Sequence, residues 1–84
     1  MKELLEFIAK SLVSDINAVS VNETGNDENG VMIIELCVAP EDMGKVIGRQ
    51  GRIAKAIRTV IKAAALNENK KVRVEILQKE DGIH

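Results

Sequence analysis

The sequence predicts an α+β domain in two layers. Three helices lie on one face of a three-stranded mixed sheet, in the order helix, strand, strand, helix, helix, strand. Three observations carry this reading. The chain opens with an amphipathic helical pattern. Two β-rich runs then flank a turn-rich hexapeptide. Two further helical patterns, joined through glycines, precede a closing run of alternating apolar residues.

Residues 2–13 place Leu4, Leu5, Ile8 and Leu12 on one helical face and Lys2, Glu6 and Lys10 elsewhere. Ser14-Asp15 ends that helix. Residues 18–24 alternate, with Val19 and Val21 pointing one way and Ser20 and Asn22 the other, as in a half-buried strand. The segment Gly25-Asn26-Asp27-Glu28-Asn29-Gly30 is dense in turn residues. Residues 31–38 form the second strand, with Ile34, Leu36 and Val38 on one face and Val31, Ile33, Glu35 and Cys37 on the other, so the pair reads as a hairpin.

Pro40 occupies a first helical position, and Glu41 and Asp42 suit the positive end of a helix dipole. This helix is expected to be short, about two turns, because Gly48 and Gly51 interrupt it. Its apolar face is Met43, Val46 and Ile47. A longer helix runs from about Arg52 to Leu66, where Ile53, Ala56, Ile57, Val60, Ile61 and Ala64 recur at helical spacing. Lys55, Arg58 and Lys62 stack on a different face. Asn67-Glu68-Asn69 is a stop. Residues 72–77 are the last strand, with Val72, Val74 and Ile76 on one side. The first two strands pair antiparallel. The second and third are joined by a right-handed crossover through two helices, which favours parallel pairing.

A chain of 84 residues suffices for one modest core, and 1–84 reads as a single domain. Its core spans about 2–78, and 79–84 is expected to be a flexible tail. Phe7 is the only aromatic residue, so the core must be aliphatic. Net charge is −1, yet between Gly44 and Lys62 stand six basic residues (Lys45, Arg49, Arg52, Lys55, Arg58, Lys62) and no acid. Such a run creates a local attractive field on an otherwise acidic body, although a solvated helix face without a partner has the same composition. A lone cysteine, Cys37, cannot form an internal disulfide. Residues 1–14 lack a signal-peptide pattern, and no apolar run nears the roughly 20 residues that span a bilayer. The expected compartment is the cytoplasm.

The informative segment is Val46-Ile47-Gly48-Arg49-Gln50-Gly51-Arg52-Ile53. Two glycines make a tight link between helices and have no side chain to hold a ligand away. The helix that follows begins with unpaired N–H groups at the positive end of its dipole, a natural phosphate seat, and Arg49 and Arg52 flank it.

This segment resembles the KH-domain signature, an apolar pair followed by Gly-x-x-Gly and then an isoleucine. The order of elements resembles the type II, prokaryotic KH fold, and the size and motif position resemble the small bacterial single-KH RNA-binding proteins of the KhpA-like family. That resemblance implies single-stranded RNA as partner, with the backbone of about four nucleotides clamped by Gly48, Arg49, Gln50 and Gly51. Lys45, Arg52 and Lys55 would be nearby phosphate contacts. Val46, Ile47 and Ile53 would line the groove near the clamp, Ile47 and Ile53 also packing in the core, with Ile34 and Leu36 contributing to its floor. The resemblance further implies a homodimer, or a heterodimer with a larger Jag-like KH protein, and a role in post-transcriptional regulation or as an RNA chaperone.

Other classes fit less well. Gly44-Lys45 lacks the upstream glycine and the following Ser/Thr of a P-loop, and no Rossmann glycine pattern is present. The one histidine is the terminal His84, Cys37 has no histidine to activate it, and no cluster has metal-ligand spacing, so neither catalysis nor a cofactor or metal is expected. RNA-recognition motifs and OB-folds need aromatic platforms that Phe7 alone cannot supply. The remaining alternative is a protein-interaction module whose KH scaffold serves dimerisation or a larger assembly.

Overall fold

The computed structural model describes residues 1–79. Helix α1 (Lys2–Leu12) leads through a 3-10 turn (Ile16–Ala18) into β1 (Ser20–Asn26) and β2 (Met32–Val38); α2 (Pro40–Asn67) and β3 (Val72–Gln78) follow. α2 is two helical arms rather than one rod. Gln50 and Gly51 have φ of 64° and 70°, and two consecutive left-handed residues take the chain off a right-handed helical path. The expected order of three helices and three strands therefore holds. The break falls later than glycine content alone suggests, because Gly48 still belongs to the first arm.

The sheet has the order β1-β2-β3, antiparallel between the first pair and parallel between the second. A bulge between Glu23 and Gly25 shifts the register of the hairpin. Its turn is organised by Asp27, whose carboxylate accepts the N–H groups of Asn29 (2.8 Å) and Val31 (3.0 Å). Those bonds, that of Val31 first, hold the Asp27 carboxyl below its ordinary pKa. At the far end of α2, Asn69 adopts φ 58°, the Lys70 N–H donates to the Ala65 carbonyl, and the Asn69 N–H donates to that of Leu66. This is a Schellman closure with asparagine at the left-handed position, which explains the stop read at Asn67-Glu68-Asn69. Of the expected tail, Lys79 still donates its N–H to Val38 at 2.7 Å. Residues 80–84 lie outside the described residues.

The core is aliphatic. Leu5 and Ala9 of α1, Val21, Ile34, Leu36, Val38, Val72 and Val74 of the sheet, and Val46, Ala54, Ile57, Ile61 and Ala65 of α2 are buried together. The buried ridge on the second arm of α2 is rotated from the expected one. Ala54, Ile57, Ile61 and Ala65 face the sheet, whereas Ala56 and Val60 are exposed and Ile53 and Ala64 only partly covered. Phe7 is 72% exposed.

Candidate nucleic-acid interface

The loop expected to carry function lies at the break in α2. Gln50 is exposed and left-handed, and Gly51 is left-handed with open space around it. A Cβ at Gly51 would be strained by its φ alone. Gly48 differs. Its φ is not left-handed, and a Cβ built there meets nothing within 4 Å. The fold gives no reason for glycine at 48, where alanine would favour the helix by about 0.5–1 kcal/mol. Gly44, one helical turn earlier, is equally unobstructed, so the two leave a strip of bare backbone leading to the loop.

Beyond the break, Arg52, Lys55, Arg58 and Lys62 are all exposed. Among the described residues, Arg52, Lys55 and Lys62 take part in no ion pair. Arg58 is partly committed to the fold: its Nε–H donates to the Val74 carbonyl oxygen, 3.3 Å away, on β3, an edge strand. The basic flank of α2 therefore overlooks the β3 edge. The loop and the flank together can accept a chain of phosphates, with bare backbone at Gly48 and cations beside it.

Other residues expected at the interface sit differently. The ammonium of Lys45 is held by Ser14 Oγ and lies 3.6 Å from Asp42 Oδ1, so it is anchored to the α1–β1 connection. Val46 is buried in the core, Ile47 is 49% exposed, and Ile53 is partly buried against the core edge. Core packing thus describes Val46 and part of Ile53, and not Ile47. Ile34 and Leu36 are fully buried beneath the helices and do not line an open groove.

Asp42 is the residue that sequence reasoning missed. Its side chain is buried and accepts the N–H groups of Ser14 (2.9 Å) and Asp15 (3.1 Å). The Ser14 bond first, then that of Asp15 and the Lys45 ammonium, hold its carboxyl below the usual range, against the opposing push of burial. The sequence shows only an acid in a first helical turn, which dipole compensation already explains. Nothing local reveals that the turn after α1 folds back onto it. This clasp fixes the first arm of α2 against the end of α1.

A second surface lies on the opposite flank of α2. Leu4, Phe7 and Leu12 of α1 and Ile53, Ala56 and Val60 of α2 line a groove of about 370 Å3 without polar groups. Among the described residues, no group of three His, Cys, Asp or Glu side chains is placed to hold a metal ion, and no helix is long and apolar enough to cross a membrane.

Residues 2–76 match the family model described as KhpA/KhpB, KH domain. The chain belongs to this family. It is 68% identical over 77 residues to the RNA-binding protein KhpA of Clostridium perfringens, covering 92% of this chain and 100% of that one. It is 49% identical to the KhpA of Halalkalibacterium halodurans, covering 92% and 99%. Among solved structures, its fold is similar to part of Era in complex with MgGDPNP and nucleotides 1506–1542 of 16S ribosomal RNA, at TM-score 0.63 and 20% identity over 93% of this chain and 29% of that one. Family membership accounts for the α-β-β-α-α-β order. These relatives are named RNA-binding proteins, and they match this chain over nearly their whole length.

Proposed function

We propose that this chain is a non-enzymatic RNA-binding protein of the cytoplasm that clamps about four single-stranded nucleotides at Gly48-Arg49-Gln50-Gly51. The observation that carries the reading is Gly48: a helical glycine that the fold does not require, beside two left-handed residues and at the head of an exposed basic flank. The relatives' shared name, RNA-binding protein KhpA, supports the same partner. The phosphate contacts are Arg52 and Lys55, with Lys45 available only if its ammonium leaves Ser14 and Asp42. Ile47 is the apolar residue nearest the clamp that has surface left to meet a base.

No aromatic platform is present, so stacking worth about 1–3 kcal/mol per base is missing and a lone domain binds at roughly micromolar strength. A second clamp raises this without new contacts. We place the second subunit, another copy of this chain, on the apolar groove between α1 and α2. That groove is on the flank of α2 away from the basic one, so docking there leaves both clamps open. A larger Jag-like KH partner competes for the same surface. Post-transcriptional regulation or RNA chaperoning follows from paired weak clamps. The interaction-module reading rests on this groove alone.

The test is Arg49→Asp with Gln50→Asp. Aspartate tolerates the left-handed conformation of position 50 well, so the fold is not strained. Affinity for single-stranded RNA should fall by about a hundredfold at low salt, because two negative charges replace one cation at the phosphate seat. Circular dichroism and melting should stay near wild type. Unchanged binding by the folded double variant would falsify the clamp and leave the interaction module as the function.

A further inference from the structure

The β1–β2 turn, the end of α2 and the start of β3 enclose a hollow of about 500 Å3. It lies about 22 Å along the second arm from the clamp, at 1.5 Å per helical residue. Four cations surround it, Lys62, Lys70, Lys71 and Arg73, and its floor is apolar, with Val31 and Leu66. Leu66 is 69% exposed. Among the described residues, the only carboxylate in the lining, Asp27, is occupied by the N–H groups of its own turn. Outside the lining, Glu68 lies 3.5 Å from Lys70 and Glu75 lies 3.9 Å from Arg73. Both are exposed pairs, which contribute little and are readily exchanged. Among the described residues, Lys62 and Lys71 are in no ion pair. A smaller, more polar hollow of about 340 Å3 adjoins it, sharing Asn29, Lys70 and Lys71 and adding the amides of Asn26 and Asn69.

We propose that this hollow is a second contact site for the same RNA strand, so that the footprint extends well past the four clamped nucleotides. The proposal deepens the RNA-binding reading and rests on it. Phosphates are held between Lys62 and Lys71, and a base lies against Leu66. Cations distributed around an apolar floor suit a nucleotide better than a small free anion, which wants donors converging on one point. Lys55, Arg58 and Lys62 recur every three or four residues along the helix and connect the two sites. Asparagine amides at the adjoining hollow can meet base edges.

The test is fluorescence anisotropy with labelled single-stranded RNA of about five and about ten nucleotides, one length spanning the clamp and the other reaching the hollow. Wild type should bind the longer strand about tenfold more tightly. Lys70→Glu with Lys71→Glu should keep the short-strand affinity within about twofold and lose that gain. Both side chains are exposed, and circular dichroism verifies the fold. Should charge reversal unfold the protein, Lys70→Gln with Lys71→Gln asks the same question without adding acids. Three results overturn the proposal: no length gain in wild type, a gain kept by the variants, or equal loss on both lengths. A kept gain assigns it to the clamp of a second subunit, and equal loss assigns it to the general field. Failure of the clamp itself is seen separately, as wild-type binding of the short strand by Arg49→Asp/Gln50→Asp.

Discussion

On the second arm of α2, Arg52, Lys55, Arg58 and Lys62 face solvent, Arg58 reaching the β3 edge, while Ile53, Ala56 and Val60 face the groove beside α1. Between these flanks runs the ridge Ala54, Ile57, Ile61 and Ala65, buried against the sheet. One helix thus presents three chemistries at angular separations fixed by 3.6 residues per turn. The charged flank can bind only through a field that salt and acid residues weaken. The apolar flank gains by excluding water and is indifferent to charge. A surface of the first kind suits a polyanion whose sequence varies; one of the second kind suits a protein partner of fixed shape. Because the two flanks share only the ridge, each can be changed without the other.

The largest effect should come from the ridge itself. Ile61 is fully buried, and Ile61→Ala removes methylenes from a close-packed site at a cost of about 2–5 kcal/mol. For a domain this small that is a large share of total stability. A urea melt should show it, and RNA binding and self-association should decline together. Loss of only one activity would mean that the flanks do not depend on a common support.

The next substitution separates the flanks. Phe7→Gln with Val60→Gln leaves the charge unchanged and removes two exposed apolar side chains from the groove. Burying a Phe or Val side chain contributes about 1.5–3 kcal/mol, so self-association measured by sedimentation should weaken at least tenfold. Binding of a short RNA to each protomer should be unchanged. If short-strand affinity fell equally, the two flanks would be one interface.

How far these flanks were legible in the sequence differs between them. The basic one was read correctly, because Lys and Arg seldom lie fully buried, so spacing alone puts them outside. The apolar one was merged with the core. Ile53, Ala56, Val60 and Ala64 recur as regularly as the buried residues, and a wide apolar stripe does not say which part meets the sheet. Ala54 and Ala65, the small residues that let α2 lie close to the strands, carry a weak hydrophobic signal. Strand faces were easier, since Ile34, Leu36 and Val38 alternate with half-exposed residues and a period of two leaves one choice. Asp42 was out of reach, because its partners are backbone groups 27 and 28 residues away in the chain.

Gly48 allows a smaller but sharper test. Its φ is compatible with alanine and no neighbour obstructs a Cβ. Gly48→Ala should therefore stabilise the fold by about 0.4–1 kcal/mol, through lower entropy of the unfolded chain. If RNA backbone lies against this position, the added methyl holds it away and affinity falls while the melting temperature rises. A rise in both would remove Gly48 from the charged side of the comparison.

The smallest effect within the ordinary pH range concerns Asp42, which serves the apolar flank by fixing α2 against the end of α1. Its carboxyl, like that of Asp27, titrates below the ordinary carboxylate value of 3.8. The unfolded chain takes up these protons first as pH falls. Their contribution to stability is therefore fully present above the unfolded value and is lost as pH drops through the folded one. Between about pH 8 and pH 5 these two groups leave stability flat. Below about pH 4 it should decline. The Asp42 clasp is the part that reaches α1, so the groove should loosen with it, and self-association should be lost no later than helical circular dichroism. Asp42→Asn keeps one acceptor oxygen but cannot titrate. It should melt lower than wild type at pH 7 and show a shallower loss in acid. An acid profile unchanged by Asp42→Asn would assign the loss to other carboxylates and detach the clasp from the groove.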